Sequence, residues 1–186
     1  MKKAGFLLIG MIIVLVSCKT KISSETYIEI QNRGNEVSNL TQSVLLANVG
    51  SAMKQGGPVN ALEFCNLNAS TIVDSLNAAN NCNINRVSTK NRNPENYLRT
   101  KNDNAMWVHF AKFNTSDTVI SEGKTLIYYK PIRTAMPACL KCHGKPGSDI
   151  EKKTVEKLKE LYPSDLATGY KLNDFRGLWK IEFNDN

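Results

Sequence analysis

The sequence predicts an α+β domain in which helices precede a small antiparallel sheet. Two observations favour this class: apolar residues recur every three or four positions in the first half of the chain, and the later segments contain β-rich runs with alternating apolar residues. With 186 residues, 41% hydrophobic and 22% charged, the chain has the composition of one ordinary globular domain.

The N-terminus has the features of an export signal. Lys2 and Lys3 precede an apolar run of about 13 residues, Ala4–Val16, which is too short to span a bilayer. The run ends in "LVSC", which resembles a bacterial lipobox; an ordinary cleavable signal is the alternative. We therefore expect a signal peptide over residues 1–17, a lipidated Cys18, and a membrane-anchored protein on the periplasmic or outer-surface side.

Two helices are expected next, the first from Glu25 to about Lys54 and the second from about Val59 to Ala79. The "GGP" of residues 56–58 separates them. We place a tether and helix at residues 18–58 and the main domain at 59–186. The second helix has an apolar face, which should point Cys65 toward the core. This face consists of Leu62, Cys65, Ala69, Ile72 and Leu76.

The rest of the chain predicts short strands and two more helices. "INRVS" reads as a strand, and "RNPEN" as a turn because Pro94 disfavours a helical residue before it. A helix from Asp103 to Phe113 is followed by a hairpin in "TVISEGKTLIYYKPI". "EKKTVEKLKELYP" is an amphipathic helix that ends at Pro163, and "FRGLWKIEF" is a closing strand.

The charge is moderately positive, +7 for the whole chain. Without Lys2 and Lys3, 22 basic residues remain against 17 acidic ones, a formal charge of +5. No arginine-rich stripe is interleaved with aromatic residues, so nucleic acid is not an expected partner. The positive charge is compatible with docking on an acidic redox protein or simply with solubility.

The most informative stretch is "MPACLKCHGKPG", which contains Cys139, Cys142 and His143 in a C-x-x-C-H arrangement. Two thiols at this spacing can form thioethers with the two vinyl groups of one haem, and the adjacent histidine can reach the iron. Export supplies the compartment in which such attachment takes place. We predict a covalent haem c here, in a loop bounded by proline and glycine.

The cysteines allow three other interpretations. A structural zinc site needs four ligands, and a second C-x-x-C or H-x-x-x-H is missing. A thioredoxin-like dithiol needs its pair at a helix start after a βαβ unit, which this segment does not show. A haem-free protein with disulfides Cys65–Cys82 and Cys139–Cys142 is the third alternative.

The residues alone leave the second axial ligand open. His109 is more typical of an ordinary helix histidine, and the methionines fit core positions or lie too close to Cys139. Cys65 lies on an apolar helix face, where a thiol can meet iron and become a thiolate. The candidates are Met53, Met106, Met136, His109, Cys65 and Cys82, and the alternative is a position left open for a gas.

Donors for the anionic haem propionates are also available, although each is equally typical of a surface or loop ion pair. These candidates for the haem pocket are Arg86, Arg92, Tyr129, Lys130 and Arg176.

Five motifs in order resemble a bacterial single-haem c-type family with a PAS-like fold. They are "ALEFC", "RVSTKNRNPEN", "YYKPI", "CLKCHG" and "YPSDLATGYKLNDFRGLWKIEF", spanning about residues 60–183. The resemblance implies covalent attachment through Cys139 and Cys142 and axial ligation of iron by His143 and Cys65. Cys82 has no place in that pattern, which keeps a disulfide with Cys65 as an alternative.

These observations predict an exported monohaem c-type lipoprotein that acts in electron transfer or in haem-based redox or gas sensing, and that is not an enzyme. Two protein ligands to iron leave no position for a substrate, and the PAS-like fold favours sensing by analogy. No transmitter domain follows, so a separate redox or signalling partner is expected. A thiol–disulfide oxidoreductase that uses Cys139 and Cys142 is the alternative function.

Overall fold

The computed structural model describes residues 22–184. The predicted signal peptide and Cys18 therefore lie outside the described residues. Within them no helix is long and apolar enough to cross a membrane. The helices are α1 (Ser24–Asn80), α2 (Lys101–Lys112), α3 (Pro137–His143) and α4 (Lys152–Leu161). The strands are β1 (Asn83–Val87), β2 (Thr118–Glu122), β3 (Thr125–Arg133) and β4 (Phe175–Asn184).

The four strands form one antiparallel sheet in the order β1-β4-β3-β2. The last strand of the described residues, β4, therefore lies inside the sheet. It pairs with β1 from Asn83 opposite Glu182 to Val87 opposite Leu178, and with β3 on its other side. The predicted α+β class and antiparallel sheet are confirmed.

The two predicted N-terminal helices are joined into α1, but the chain is not helical at Gly56 and Gly57. Gly57 has φ +71°, a conformation that glycine adopts without a steric penalty, and Pro58 follows. The break therefore falls where the "GGP" motif predicted it, and it redirects the second half of α1. The division into residues 18–58 and 59–186 stays a prediction.

One face of the sheet packs against α1. Segments from both sides of residue 58 contribute to this core: Ile30 and Val37 are buried in it, while Ile72 and Leu76 pack against its edge. Gly34 is required at the closest approach, because a side chain there would overlap the ring of Tyr128. The first half of α1 is thus part of the folded domain rather than a free linker.

The other face of the sheet packs against α2 and contains a fully paired ionic cluster. Asp103 accepts hydrogen bonds from the hydroxyl of Tyr129 (2.7 Å) and from the ammonium of Lys180 (3.2 Å). Lys180 also pairs with Glu182 at 3.0 Å. The second carboxylate oxygen of Asp103 accepts the backbone N–H groups of Arg99 and Thr100. We call Asp103, Tyr129, Lys180 and Glu182 the Asp103 cluster.

The segment with the C-x-x-C-H motif is a short helix, so the predicted loop is wrong. Pro137 occupies the first helical turn, where its fixed φ favours the helix and its missing N–H is not needed. The helix ends at His143, and the N–H of Gly144 bonds to the carbonyl of Leu140. Seven residues are too few for a helical pattern to be visible in the sequence.

Candidate functional site

Both cysteines of the motif are free thiols on α3, one helical turn apart. Cys139 and Cys142 are half-buried, and Cys142 packs against a core of Leu62, Ile150 and Leu158. His143 follows directly at the end of the helix. The helix therefore brings two thiols and an imidazole together on adjacent turns.

The orientation of the His143 ring is fixed by the backbone of a distant loop. Its Nδ1 lies 2.8 Å from the carbonyl oxygen of Ala167. A carbonyl can only accept, so the proton is on Nδ1 and this nitrogen donates. The lone pair of Nε2 is consequently free, which is the form of imidazole that binds a metal.

His143 is also kept uncharged. Burial is the main cause that lowers the pKa of this imidazole well below its usual value, and the positive charges of Arg92 and Arg176 lower it further. The hydrogen bond to the carbonyl of Ala167 raises the pKa, but by less than these causes lower it. A neutral imidazole is the protonation state that a metal ligand needs.

Two backbone hydrogen bonds attach the end of α3 to the same loop. Tyr170 donates to the carbonyl of His143 (2.9 Å), and Gly169 donates to the carbonyl of Gly144 (2.8 Å). Gly144 has no room for a side chain, since a Cβ there would lie 2.6 Å from the carbonyl oxygen of Leu140. The loop thus holds the histidine through both its ring and its backbone.

Arg92 links the loop before α2 to the motif. Its guanidinium donates to the carbonyl of Cys142 at 2.6 Å and to the carboxylate of Asp165 at 3.2 Å. Both side chains of the ion pair are largely buried, 13% and 8% exposed. Asp165 also accepts the N–H of Ala167 at 2.8 Å, so one carboxylate orients both Arg92 and the partner of His143.

Three arginines converge around His143, and we call Arg86, Arg92 and Arg176 the arginine cluster. All three positive charges lower the pKa of the imidazole. One carboxylate, Asp165, pairs with the cluster among residues 22–184. The Nε of Arg176 is buried without a hydrogen-bond partner, and burial lowers the pKa of both Arg176 and Arg86. The cluster has an excess of positive charge that an anionic group would neutralise.

Cys65 lies on the second half of α1, one turn after Leu62, which is in the same small core as Cys142. Burial raises the pKa of the Cys65 thiol, while the charges of Arg86 and Arg92 act to lower it. Burial likewise raises the pKa of Cys142, and the negative charge that Cys65 can acquire adds to that rise. The two thiols are therefore close enough to interact.

The family model for Tll0287-like proteins matches residues 15–184. The chain belongs to this family. A search of solved structures finds the "Crystal structure of the cyanobacterial heme-protein Tll0287", with a TM-score of 0.62, 22% identity, and coverage of 82% of this chain and 96% of that one. At this identity the likeness concerns the fold. No curated protein matches the chain.

The Tll0287-like fold does not bring every predicted site residue together. The hydroxyl of Tyr129 belongs to the Asp103 cluster, and the sheet register places Tyr129 on the face opposite Arg86. Lys130 bonds to Asn35 and Asn39 of α1. These two residues therefore do not contact the motif.

Two other candidates for the second axial ligand lie elsewhere in this Tll0287-like chain. His109 pairs with the hydroxyl of Thr115 at 3.1 Å. Cys82 packs against the core between α1 and the sheet. Cys65 and Cys82 are both free thiols, so the alternative disulfide between them is not formed. Among the described residues, no group of three or more His, Cys, Asp or Glu side chains could hold a metal ion.

A cleft of about 310 Å³ adjoins the site and is bordered by Arg92 and Tyr162. Tyr162 packs against the same small core as Cys142, and its ring lies 5.7 Å from the Arg92 guanidinium. The other residues that line the cleft are Asn66, Asn93, Pro94, Leu161, Pro163 and Ser164. The cleft is thus bordered by Arg92, which bonds to the motif, and by the residue that follows Cys65.

Sequence reasoning did not identify Asp165 and Ala167 as parts of the site. Their segment, "YPSDLATGYKLND", enters the sequence prediction only as part of a family motif. A signal was nevertheless present, because an aspartate after Pro163 and Ser164 is typical of a turn in which the carboxylate accepts the N–H two residues on. The sequence does not reveal which distant histidine that turn supports.

Proposed function

We propose that this Tll0287-like chain carries one haem c, attached through the thiols of Cys139 and Cys142, with His143 and Cys65 as the axial ligands of its iron. The observation that carries the proposal is the 2.8 Å hydrogen bond from Nδ1 of His143 to Ala167, which leaves Nε2 free beside two thiols on one short helix. The family resemblance and the haem named in the related cyanobacterial protein support the same assignment.

The residues present fit such a group. The arginine cluster has more positive charge than Asp165 neutralises, and haem propionates are anionic groups that Arg86 and Arg176 would pair with. Bound there, haem c supplies an iron that gains or loses one electron. Cys65 would bind as the thiolate, which favours ferric iron and lowers the potential.

We further propose that the protein is exported, lipidated at Cys18 and anchored to a membrane, and that it acts in electron transfer or in haem-based redox or gas sensing. Saturation of the iron by His143 and Cys65 supports outer-sphere electron transfer. Because burial opposes ionisation of Cys65, this ligand is also suited to displacement, which supports sensing. The two roles differ in what happens when CO is added to the reduced protein.

The oxidoreductase alternative has weaker support. A thioredoxin-like dithiol follows a βαβ unit, whereas the four described strands all pair antiparallel.

The deciding experiment is expression of the full chain together with the haem c maturation apparatus. We expect a covalent haem that stays with the polypeptide after denaturation, detected by a pyridine haemochrome spectrum and by mass. Replacing Cys139 and Cys142 by alanine should abolish it, whereas Cys82→Ala, a matched change outside the site, should retain it. A colourless wild-type protein with the mass of the bare polypeptide would refute the proposal.

The distal ligand is tested by Cys65→Ala beside Cys82→Ala. The first variant should change the ferric absorption spectrum and raise the midpoint potential, because a thiolate that stabilises ferric iron is lost. The second should leave both unchanged. Identical spectra for Cys65→Ala and wild type would remove Cys65 from the coordination sphere.

Addition of CO to the reduced wild-type protein separates the two roles. Rapid formation of a CO complex would show that Cys65 is displaceable and would favour gas sensing. An unchanged spectrum would favour electron transfer.

A further inference from the structure

His143 is the end of a continuous chain of contacts that begins at a carboxylate. Asp165 accepts from Arg92 through one oxygen and from the N–H of Ala167 through the other. The carbonyl of Ala167 in turn accepts the Nδ1 proton of His143. Ala167 is fully buried, so water does not replace either of its bonds. The orientation of its peptide groups therefore depends on Asp165.

Two groups compete for Nδ1 of His143. The Ala167 carbonyl at 2.8 Å requires a proton on this nitrogen, whereas the Arg92 guanidinium at 3.4 Å is a donor and would require a lone pair there. In the second arrangement the proton would sit on Nε2 and block metal binding. The ion pair with Asp165 holds the Arg92 guanidinium, and this favours the tautomer with the proton on Nδ1.

We propose that Asp165 is a positioning residue that holds His143 in the tautomer with the proton on Nδ1. Asp165 orients the Ala167 peptide and engages Arg92, and Arg92 fixes the end of α3 through the carbonyl of Cys142. The inference rests on the proposed haem c function for the identity of the metal, but the tautomer is a property of the polypeptide itself.

The charge of Asp165 also has a consequence for a bound iron. A hydrogen-bonded acceptor behind a ligating histidine makes the imidazole a stronger donor, and losing such an outer contact typically changes binding or activity by 10–100-fold. We expect Asp165→Asn to shift the ratio of ferric to ferrous protein about tenfold toward ferrous, which corresponds to about 59 mV for one electron.

The test measures ¹⁵N chemical shifts of the histidine rings in the haem-free full chain and the midpoint potential of the haem-loaded chain. Wild type should show the proton on Nδ1 of His143. Asp165→Asn should raise the fraction with the proton on Nε2 about tenfold and should raise the potential. Asp149→Asn is the matched control, since Asp149 accepts the N–H of Lys145 but contacts neither Arg92 nor His143 in the structure.

Two results would overturn the inference. One is a wild-type protein with the proton on Nε2 of His143. The other is an Asp165→Asn variant whose tautomer and potential match those of wild type and Asp149→Asn. The absence of covalent haem in wild type would refute the proposed function alone, because the tautomer is still measured in the haem-free chain.

A double variant decides the outcome if Asp165→Asn does not fold, as judged by circular dichroism. Replacing Arg92 by glutamine in the same chain removes the unpaired charge. Recovery of the fold and of the Nδ1 proton in this double variant would support the charge pairing. Failure to recover them, with Asp149→Asn folded normally, would overturn the positioning role.

Discussion

The two ionic clusters of this protein differ in how their buried cations are neutralised. In the Asp103 cluster, Lys180 is paired with two carboxylates, Asp103 and Glu182. In the arginine cluster, three guanidiniums have one carboxylate, Asp165, and the Nε of Arg176 has no partner. A buried charge without a partner is costly, so a further anion would stabilise the second arrangement.

The difference distinguishes a structural cluster from a binding site. The Asp103 cluster joins α2 to the sheet and is complete within the chain. The arginine cluster surrounds His143, next to two free thiols, and is incomplete within the described residues. The comparison therefore predicts that mutations in the two clusters will have effects of opposite sign in the haem-free protein.

The largest effect is expected for Asp103→Ala. It leaves Lys180 and the Tyr129 hydroxyl buried with fewer partners and removes the side-chain half of the capping box of α2 that Asp103 contributes. The free energy of unfolding, measured by urea denaturation, should fall by about 3–5 kcal/mol. Glu95→Ala removes the carboxylate of the exposed Arg99 pair and should cost about 0.5 kcal/mol or less. Equal losses of unfolding free energy in Asp103→Ala and Glu95→Ala would contradict the conclusion that the Asp103 cluster stabilises the fold more than an exposed ion pair does.

Removing one cation from each cluster should have a smaller effect on the free energy of unfolding, and the two effects should differ in direction. Lys180→Met should lower the free energy of unfolding of the haem-free chain by about 1–3 kcal/mol, because Asp103 and Glu182 lose a charged partner. Arg176→Met removes a repelling charge and should leave stability unchanged or raise it by about 1 kcal/mol. Destabilisation by both variants to the same extent would remove the basis for the anion site.

The smallest effect is the pH dependence of the Asp103 cluster. Burial alone would raise the pKa of Asp103, but hydrogen bonds from Tyr129 and two backbone N–H groups outweigh it and lower the pKa below its usual value. Asp103 therefore has a higher pKa in the unfolded chain than in the folded one. The stability that its ionised carboxylate contributes is fully present above about pH 4 and is lost as the pH falls through the pKa of the folded state. The stability difference between wild type and Asp103→Asn should therefore shrink from pH 7 to pH 3, and a constant difference would contradict this assignment.

Much of the fold was predictable because periodicity and turn residues are local signals. The hairpin of β2 and β3, the break at Gly56 and Gly57, and the alternation of β4 all follow from them. Burial of Lys180 was not predictable. The alternation along β4 shows which residues share a face of the sheet with Lys180, but it does not show that α2 covers that face. The helical state of α3 was missed because seven residues show no period.

The candidate site was predictable where its chemistry is contiguous. Cys139, Cys142 and His143 stand together in the sequence, and Cys65 was reached through the family resemblance. Asp165 was not found, because its role depends on residues that are distant in the sequence. It bonds directly to Arg92, 73 residues before it, and reaches His143, 22 residues before it, through Ala167. Tyr129 was predicted to line the haem pocket. The face of the sheet on which it lies depends on the strand register, and the sequence does not give that register.

The position of β4 inside the sheet has a consequence for the biogenesis of the protein. Because β4 lies between β1 and β3, these two strands cannot be joined until residues 175–184 are available. A chain that emerges from its N-terminus presents Cys139 and Cys142 before the sheet can close. Covalent attachment of the proposed haem to these thiols can therefore precede folding, and residues 175–184 then complete the sheet.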